Sequence, residues 1–301
     1  MAHSAAATTN AASGSTTVTL TGTGVPHPSP GRAGAGVLVR RGDIALQFDA
    51  GRGTVIRLSE AGTPPPLLTA LFITHVHSDH LVDLADVAIT RWVQQRLYRT
   101  GALTVYAVEG GAARFVRRML EPFDDDIAVR NEHVGDGHPE VDLRTFDVPH
   151  QPVEVWRSTD GDVVVEAVAV RHEPVPEAVA YRVTTPEGVV VISGDTRVCI
   201  EVESFSANAD IVVHEACRTT AMKTAISGTV FETIFSYHAD SVPLGAMAQR
   251  AGVRHLVLTH LIPQPTTPDE EGAFERDVRQ GGYTGVVSVG RDLMTFLLDG
   301  V

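Results

Sequence analysis

Three imidazoles and a carboxylate fall within six residues of Thr74-His75-Val76-His77-Ser78-Asp79-His80, directly after the apolar run Ala70-Leu71-Phe72-Ile73. Residues i and i+2 at the end of a strand share a face, so His75 and His77 can reach one ion at roughly 2.0–2.1 Å. Asp79 and His80 lie where the chain turns from that strand into a helix expected over Leu81 to Tyr98, and they face a second position. The spacing favours a two-metal centre over a solvated histidine-rich loop, which would need neither the aspartate nor the strand. Imidazole and carboxylate without thiolate suit zinc, two Zn2+ here, with Mn2+ or Fe2+ as substitutes. No GxSxG or other protein nucleophile competes, so water activated by the ions is the expected nucleophile.

Further candidates stand at the ends of other apolar runs. Ile44 to Phe48 leads to Asp49, whose carboxylate could satisfy the second ring nitrogen of a ligand histidine or cap the turn beyond it. Val189 to Ile192 leads to Ser193-Gly194-Asp195-Thr196. An aspartate there can sit between two cations, which repel at roughly 3.5–4 Å and need shared negative charge. His172, His214-Glu215, His238 and His260 also stand at or near such ends. His150, between Pro149 and Pro152, rivals His172.

His75 to His80 resembles the HxHxDH signature of the metallo-β-lactamase superfamily of dinuclear hydrolases. The opening TGTGVPxPxPxRxG from Thr21, FDxGxGT around Asp49, SGDT at Asp195, VHEA at Glu215 and LxLTH ending at His260 resemble its ribonuclease Z and arylsulfatase-like branch. The resemblance implies an α/β fold, the αβ/βα sandwich of two mixed β-sheets flanked by helices. It implies His75, His77 and His172 on one ion, Asp79, His80 and His260 on the other, and Asp195 shared with a bridging hydroxide. Asp49 would orient the metal loop and Asp79 the attacking water, while Glu215 would hold His238 as proton donor. Ala239-Asp240 departs from the Ser-Thr that usually follows that histidine. The branch's long tRNA-gripping arm is also missing, because only about twenty residues separate His172 from Asp195.

The implied activity is therefore phosphodiester hydrolysis on a small-molecule ester, with nucleic acid allowed but not favoured. Sulfate ester, lactone or β-lactam hydrolysis and a noncatalytic binding role are the alternatives. A formal net charge of −13 argues against broad affinity for nucleic acid, which depends on Lys and Arg. Cys199 and Cys217 have no disulfide or metal spacing. Met1 to Ser15 lacks the basic and apolar regions of a signal peptide. The expectation is a disordered tail over 1–16, one domain over 17–301, a cytoplasmic protein with no membrane span, and a homodimer as an open option.

Alternating strands and helices predict the layered class. The patch from Glu121 to Asp126 and the loop carrying His133 and His138 read as exposed connection. Short apolar runs from Val141 to Val191 read as an antiparallel meander in the second sheet, and Thr219 to Phe235 shows little periodicity.

Overall fold

The computed structural model describes residues 14–135 and 137–298. The tail expected over 1–16 lies outside them as far as residue 13, and Thr16 already opens the first strand.

Six strands come first: β1 (Thr16–Gly22), β2 (Gly36–Arg41), β3 (Ile44–Phe48), β4 (Ala70–Phe72), β5 (Leu103–Val108) and β6 (Val141–Phe146). Eight follow: β7 (Val153–Arg157), β8 (Val164–Ala169), β9 (Val179–Thr185), β10 (Gly188–Ile192), β11 (Ile211–Cys217), β12 (His255–Ile262), β13 (Val286–Val289) and β14 (Thr295–Leu298). The helices are α1 (Thr54–Glu60), α2 (Ser78–Leu81), α3 (Leu84–Tyr98), α4 (Gly111–Arg118), α5 (Asp124–Val134), α6 (Ile200–Phe205), α7 (Thr219–Ile226), α8 (Val230–Ser236), α9 (Ser241–Arg250) and α10 (Pro268–Gln280).

Among the described residues the strands form two seven-stranded sheets, ordered β14-β1-β2-β3-β4-β5-β6 and β13-β12-β11-β10-β9-β8-β7. Both are mixed: β3 to β6 pair in parallel and β14 to β3 antiparallel, while β13 to β10 pair in parallel and β10 to β7 antiparallel. Parallel strands need covered faces and crossover connections, which explains the apolar runs of β10 and of β11 as far as Val213 and the helices outside them. One core lies between the sheets, around Phe48, Phe72, Tyr181, Val190 and Val213. A second packs one sheet against α6, α9 and α10, and a third packs the other against α1, α3 and α4. The sequence therefore builds the expected helix–sheet–sheet–helix sandwich.

Three local expectations are corrected. Residues 124–134 form α5 and are not loop. Asp124, Asp125 and Asp126 occupy its first turn, where the helix dipole favours negative charge. Gly135 closes it at φ 73°, and Ile127 alone on it is buried, so an apolar stripe was never there to read. The stretch at Leu143 joins the first sheet, as β6 in parallel with β5. The Thr219 to Phe235 segment forms α7 and α8, with Thr229 capping α8 by accepting from Phe231 N. No helix among the described residues is long and apolar enough to cross a membrane.

Candidate metal centre

The loop after β4 is fixed before its histidines are placed. Asp49 takes a left-handed backbone, φ 59°, and its carboxylate accepts from Thr74 N at 2.8 Å and Thr74 Oγ1 at 2.8 Å. The same carboxylate lies 2.7 Å from His80 Nδ1, which leaves Nε2 as the nitrogen that could meet an ion. Thr74 Oγ1 lies 3.0 Å from His75 Nδ1 and orients that ring in the same way. Gly194, at φ 58°, lets the β10 turn close on this loop, since a Cβ there would stand 2.7 Å from Thr74 Cβ.

Two groups of donors result. His75, His77, His172 and Asp195 bring ligand atoms within 4.8 Å of one another, and Asp79, His80 and His260 do likewise. His77 Nδ1 lies 3.0 Å from His75 Nε2 and 3.1 Å from His172 Nε2. Metal–nitrogen bonds of about 2.0–2.1 Å put neighbouring ligand nitrogens about 3 Å apart, so this spacing suits a single ion. Asp195 stands between the groups. Its Oδ1 is 3.3 Å from His80 Nε2, and its Oδ2 is 3.3 Å from His260 Nε2, 3.8 Å from His75 Nε2 and 3.9 Å from His172 Nε2. Asp79 Oδ2 lies 3.2 Å from His260 Nε2.

His260 reaches the cluster through an irregularity in its strand. The β11–β12 register passes from Glu215↔Thr259 to Ala216↔Leu261, skipping His260, and His260 sits at φ 44°. A bulge of this kind re-aims a side chain, and such backbone strain concentrates at functional positions. His150, the rival to His172, is exposed on another face.

Charge in the cluster favours a cation. Burial, reinforced by His80, holds His75 well below the usual imidazole range, so its lone pair is available. Burial opposes ionisation of Asp195, yet His260 and His80 outweigh it and hold that carboxyl well below its usual range. Burial lowers the His80 value as well, but Asp195 and Asp49 win and raise it well above. The same excess of buried carboxylate that draws a proton to His80 would draw a divalent ion. His80 Nε2, Asp195 Oδ1 and His260 Nδ1 are also buried without a hydrogen-bond partner. Each such orphan costs roughly 1–3 kcal/mol, and a coordinated ion would relieve the first two. The donor set therefore fits divalent metal.

His238 and Glu215 adjoin the cluster. His238 Nδ1 lies 2.9 Å and 3.0 Å from the two Glu215 oxygens, and Glu215, fully buried, also accepts from Thr196 N at 2.7 Å. Burial works to lower the His238 value, but the Glu215 charge and hydrogen bond overcome it and push it up to about 9. His214 of the same motif points away, its Nδ1–H donating to the Glu215 carbonyl at 2.8 Å. A cavity of about 280 Å³ joins His77, Asp79, Asp195, His238 and His260 to Val25, Pro26, His27, Phe231, Ile234 and Tyr237. Sequence reasoning missed Thr74 and Thr196, whose roles follow from neighbours distant in the chain. The helical form of α8, which carries Phe231 and Ile234, was also not foreseen, although Val230-Phe231 and Ile234-Phe235 are spaced as one helical face.

Residues 47–261 match the family described as beta-lactamase superfamily domain. A ribonuclease Z from Mycobacterium sp. (strain KMS) is 36% identical over 265 residues, covering 83% of this chain and 88% of that protein. Among solved structures, the metallo-beta-lactamase fold protein YhfI from Bacillus subtilis superposes with a TM-score of 0.72 at 22% identity, covering 94% of this chain and 100% of its own. The short form of human tRNase Z does so with a TM-score of 0.65 at 20% identity, over 93% and 98%. At those identities the two structures bear on the fold alone.

Proposed function

This chain belongs to the beta-lactamase superfamily, among the ribonuclease Z proteins, and from that membership and the geometry of the site we propose that it is a dinuclear zinc phosphodiesterase. The observation that carries the reading is His238, pinned by a buried glutamate in the same cavity as the donor cluster. A proton donor beside a divalent centre suits esters whose leaving oxygen needs a proton, as a phosphodiester's does.

In this reading His75, His77 and His172 hold one ion, Asp79, His80 and His260 the other, and Asp195 is shared. When bound, the ions supply a nucleophile at neutral pH and polarise a phosphoryl oxygen. Burial would raise the Asp79 value, but the His260 hydrogen bond and the nearby His80 overcome it and lower it, so the carboxylate is ready to orient water or accept its proton. Glu215 occupies His238 Nδ1 and leaves Nε2 to deliver a proton to the leaving oxygen.

A second reading, an RNA phosphodiester as substrate, is favoured by the mycobacterial relative's printed name. The missing arm does not exclude it. Residues between His172 and Asp195 are taken up by β9 and β10, but 83% of 301 residues is about 250 against an aligned length of 265, so that relative has no long insertion in the aligned stretch either. Against RNA stand the net charge and a cavity lined by neither Lys nor Arg, so a small diester stays the first choice. The test is metal analysis and hydrolysis of bis(p-nitrophenyl) phosphate by zinc-supplemented protein. About two zinc ions per chain with nitrophenolate release is expected of such a centre. Less than about one ion, or no release with zinc, manganese or iron, refutes it, and faster cleavage of p-nitrophenyl sulfate assigns the enzyme to sulfate esters.

A further inference from the structure

The cavity at the candidate centre has an apolar part for which the mechanism has no use. Beyond the histidines and carboxylates it is lined by Val25, Pro26, Phe231, Ile234, Phe235 and Ile262, with Tyr237 beside His238. Phe231 is 47% exposed although it stands beside a set of buried charges, so its apolar surface is left uncovered where a substrate must sit. It is not a loose side chain. Its backbone N–H donates to the Thr229 Oγ1 cap at 3.2 Å. Its ring meets Phe235 edge-on, centroids 6.3 Å apart and planes at 73°, and Phe235 is anchored with Cys217 and Ile226 in a small buried core.

We infer that this wall is a subsite for a flat, uncharged ring carried beside the scissile phosphate, a nucleobase or an aryl group, with Phe231 as the specificity-determining residue. The inference rests on the phosphodiesterase reading and names what that site selects. Ions held by the donor cluster, with His238 beside them, would fix where the phosphate goes, and Phe231 lines the same cavity, so the group attached to the phosphate has this wall within reach. With no Lys or Arg in the lining, a second phosphate there gains nothing. A flexible aliphatic chain would lose rotamer freedom on binding, whereas a rigid ring stacks at little entropic cost. The volume, about 280 Å³, falls at the small end of ligand sites, which run from about 300 Å³ upward, so it takes one ring and not a stacked run.

The test is calorimetric titration of the zinc-loaded protein with phenyl phosphate, adenosine 5′-monophosphate and methyl phosphate. Stacking on an aromatic side chain is worth about a tenfold gain or more in affinity, so phenyl phosphate or the nucleotide should bind at least about tenfold tighter than methyl phosphate. The tighter of the two identifies the ring as aryl or nucleobase. Phe231→Leu, which keeps apolar bulk and loses the ring, should bring the ratio near one, and Phe231→Trp should restore it. Equal affinities in the wild type, or a preference that survives Phe231→Leu, overturn the subsite. Diester hydrolysis without ring preference removes the subsite alone, ring preference without hydrolysis removes the phosphodiesterase reading alone, and failure of all three phosphates to bind removes both.

Discussion

His238→Ala and His238→Gln together separate proton delivery from structural support. With its value pushed up to about 9 by Glu215 against the opposing effect of burial, the protonated ring outnumbers the neutral one about a hundredfold at pH 7. Ions bound in the cluster would bring that value down towards neutrality, where general acids are most effective. The alanine variant should lose the factor of roughly 10²–10⁴ attributed to acid catalysis, about 2.7–5.5 kcal/mol of barrier, on a diester with an alkoxide leaving group. A nitrophenolate leaves without a proton, so that substrate should lose far less. Alanine also strips Glu215 of a charge-assisted hydrogen bond, worth about 1.5–3 kcal/mol, and leaves Thr196 N as the remaining donor to its carboxylate among the described residues. Glutamine can donate to Glu215 and should recover the stability without the turnover. The assay is kcat on the two substrates with zinc content measured in parallel, and Asp195→Ala as the contrast, which should shed metal and lose both activities alike. Equal losses on both leaving groups would mean that His238 clamps a substrate oxygen. Metal loss matching that of Asp195→Ala would make His238 a ligand, an outcome with a geometric basis because its ligand atom lies within 4.8 Å of those of Asp195 and His260.

Asp49→Asn keeps the shape of the side chain that holds Thr74 and His80 but removes its charge. It should weaken zinc binding by roughly 10- to 100-fold, read by competition with a chelator, and unchanged affinity would assign Asp49 to the turn alone. The metal-free protein should also show a pH-dependent urea midpoint. A raised folded-state value stabilises fully below the unfolded value of about 6.5 and loses that effect as pH rises through about 9. The His238 share of that loss should be up to about 3 kcal/mol in the wild type, and His238→Gln should lose less by about that amount, with a remaining slope from His80, whose value is also raised; parallel curves would place the titration elsewhere.

The parts of the site that could be read from the chain are those encoded locally. His75 to His80 follows one short strand, and strand parity with a turn suffices to divide its donors between two positions. Asp195 could be read because a buried run ends on small residues. His172 needed more than its neighbourhood, since His150 stands in similar company and only the third dimension separates the buried ring from the exposed one. The ladder slip that aims His260 depends on the pairing of β12 with β11, which no feature of Leu256 to His260 announces. α5 and α7 were illegible for a different reason: each buries a single residue, Ile127 and Ile226, so neither carries the apolar periodicity that marks a helix. The run at Leu143 has strand composition in either sheet, and its partner β5 is settled by topology.

The donors are divided between the two sheets. The first contributes Asp49 and the whole loop from His75 to His80, and the second contributes His172, Asp195, Glu215, His238 and His260. A centre split in this way could depend on the ions to bring its halves together, as in small domains where metal binding supplies the folding energy. The packing here argues for the opposite order. Beneath the site, Phe48 and Phe72 stack at 5.0 Å and Tyr181 of the second sheet meets both at 5.5 Å. The Tyr181 hydroxyl donates to the Ile73 carbonyl at 2.7 Å, one residue before Thr74. Burying three such rings stabilises by several kcal/mol at about 1.5–3 kcal/mol each, and the hydrogen bond fixes the height of the histidine loop relative to the second sheet. The apolar interface therefore sets the spacing of the donors before any ion arrives, and the cost of holding carboxylates and imidazoles so close is met by that interface and not by the metal.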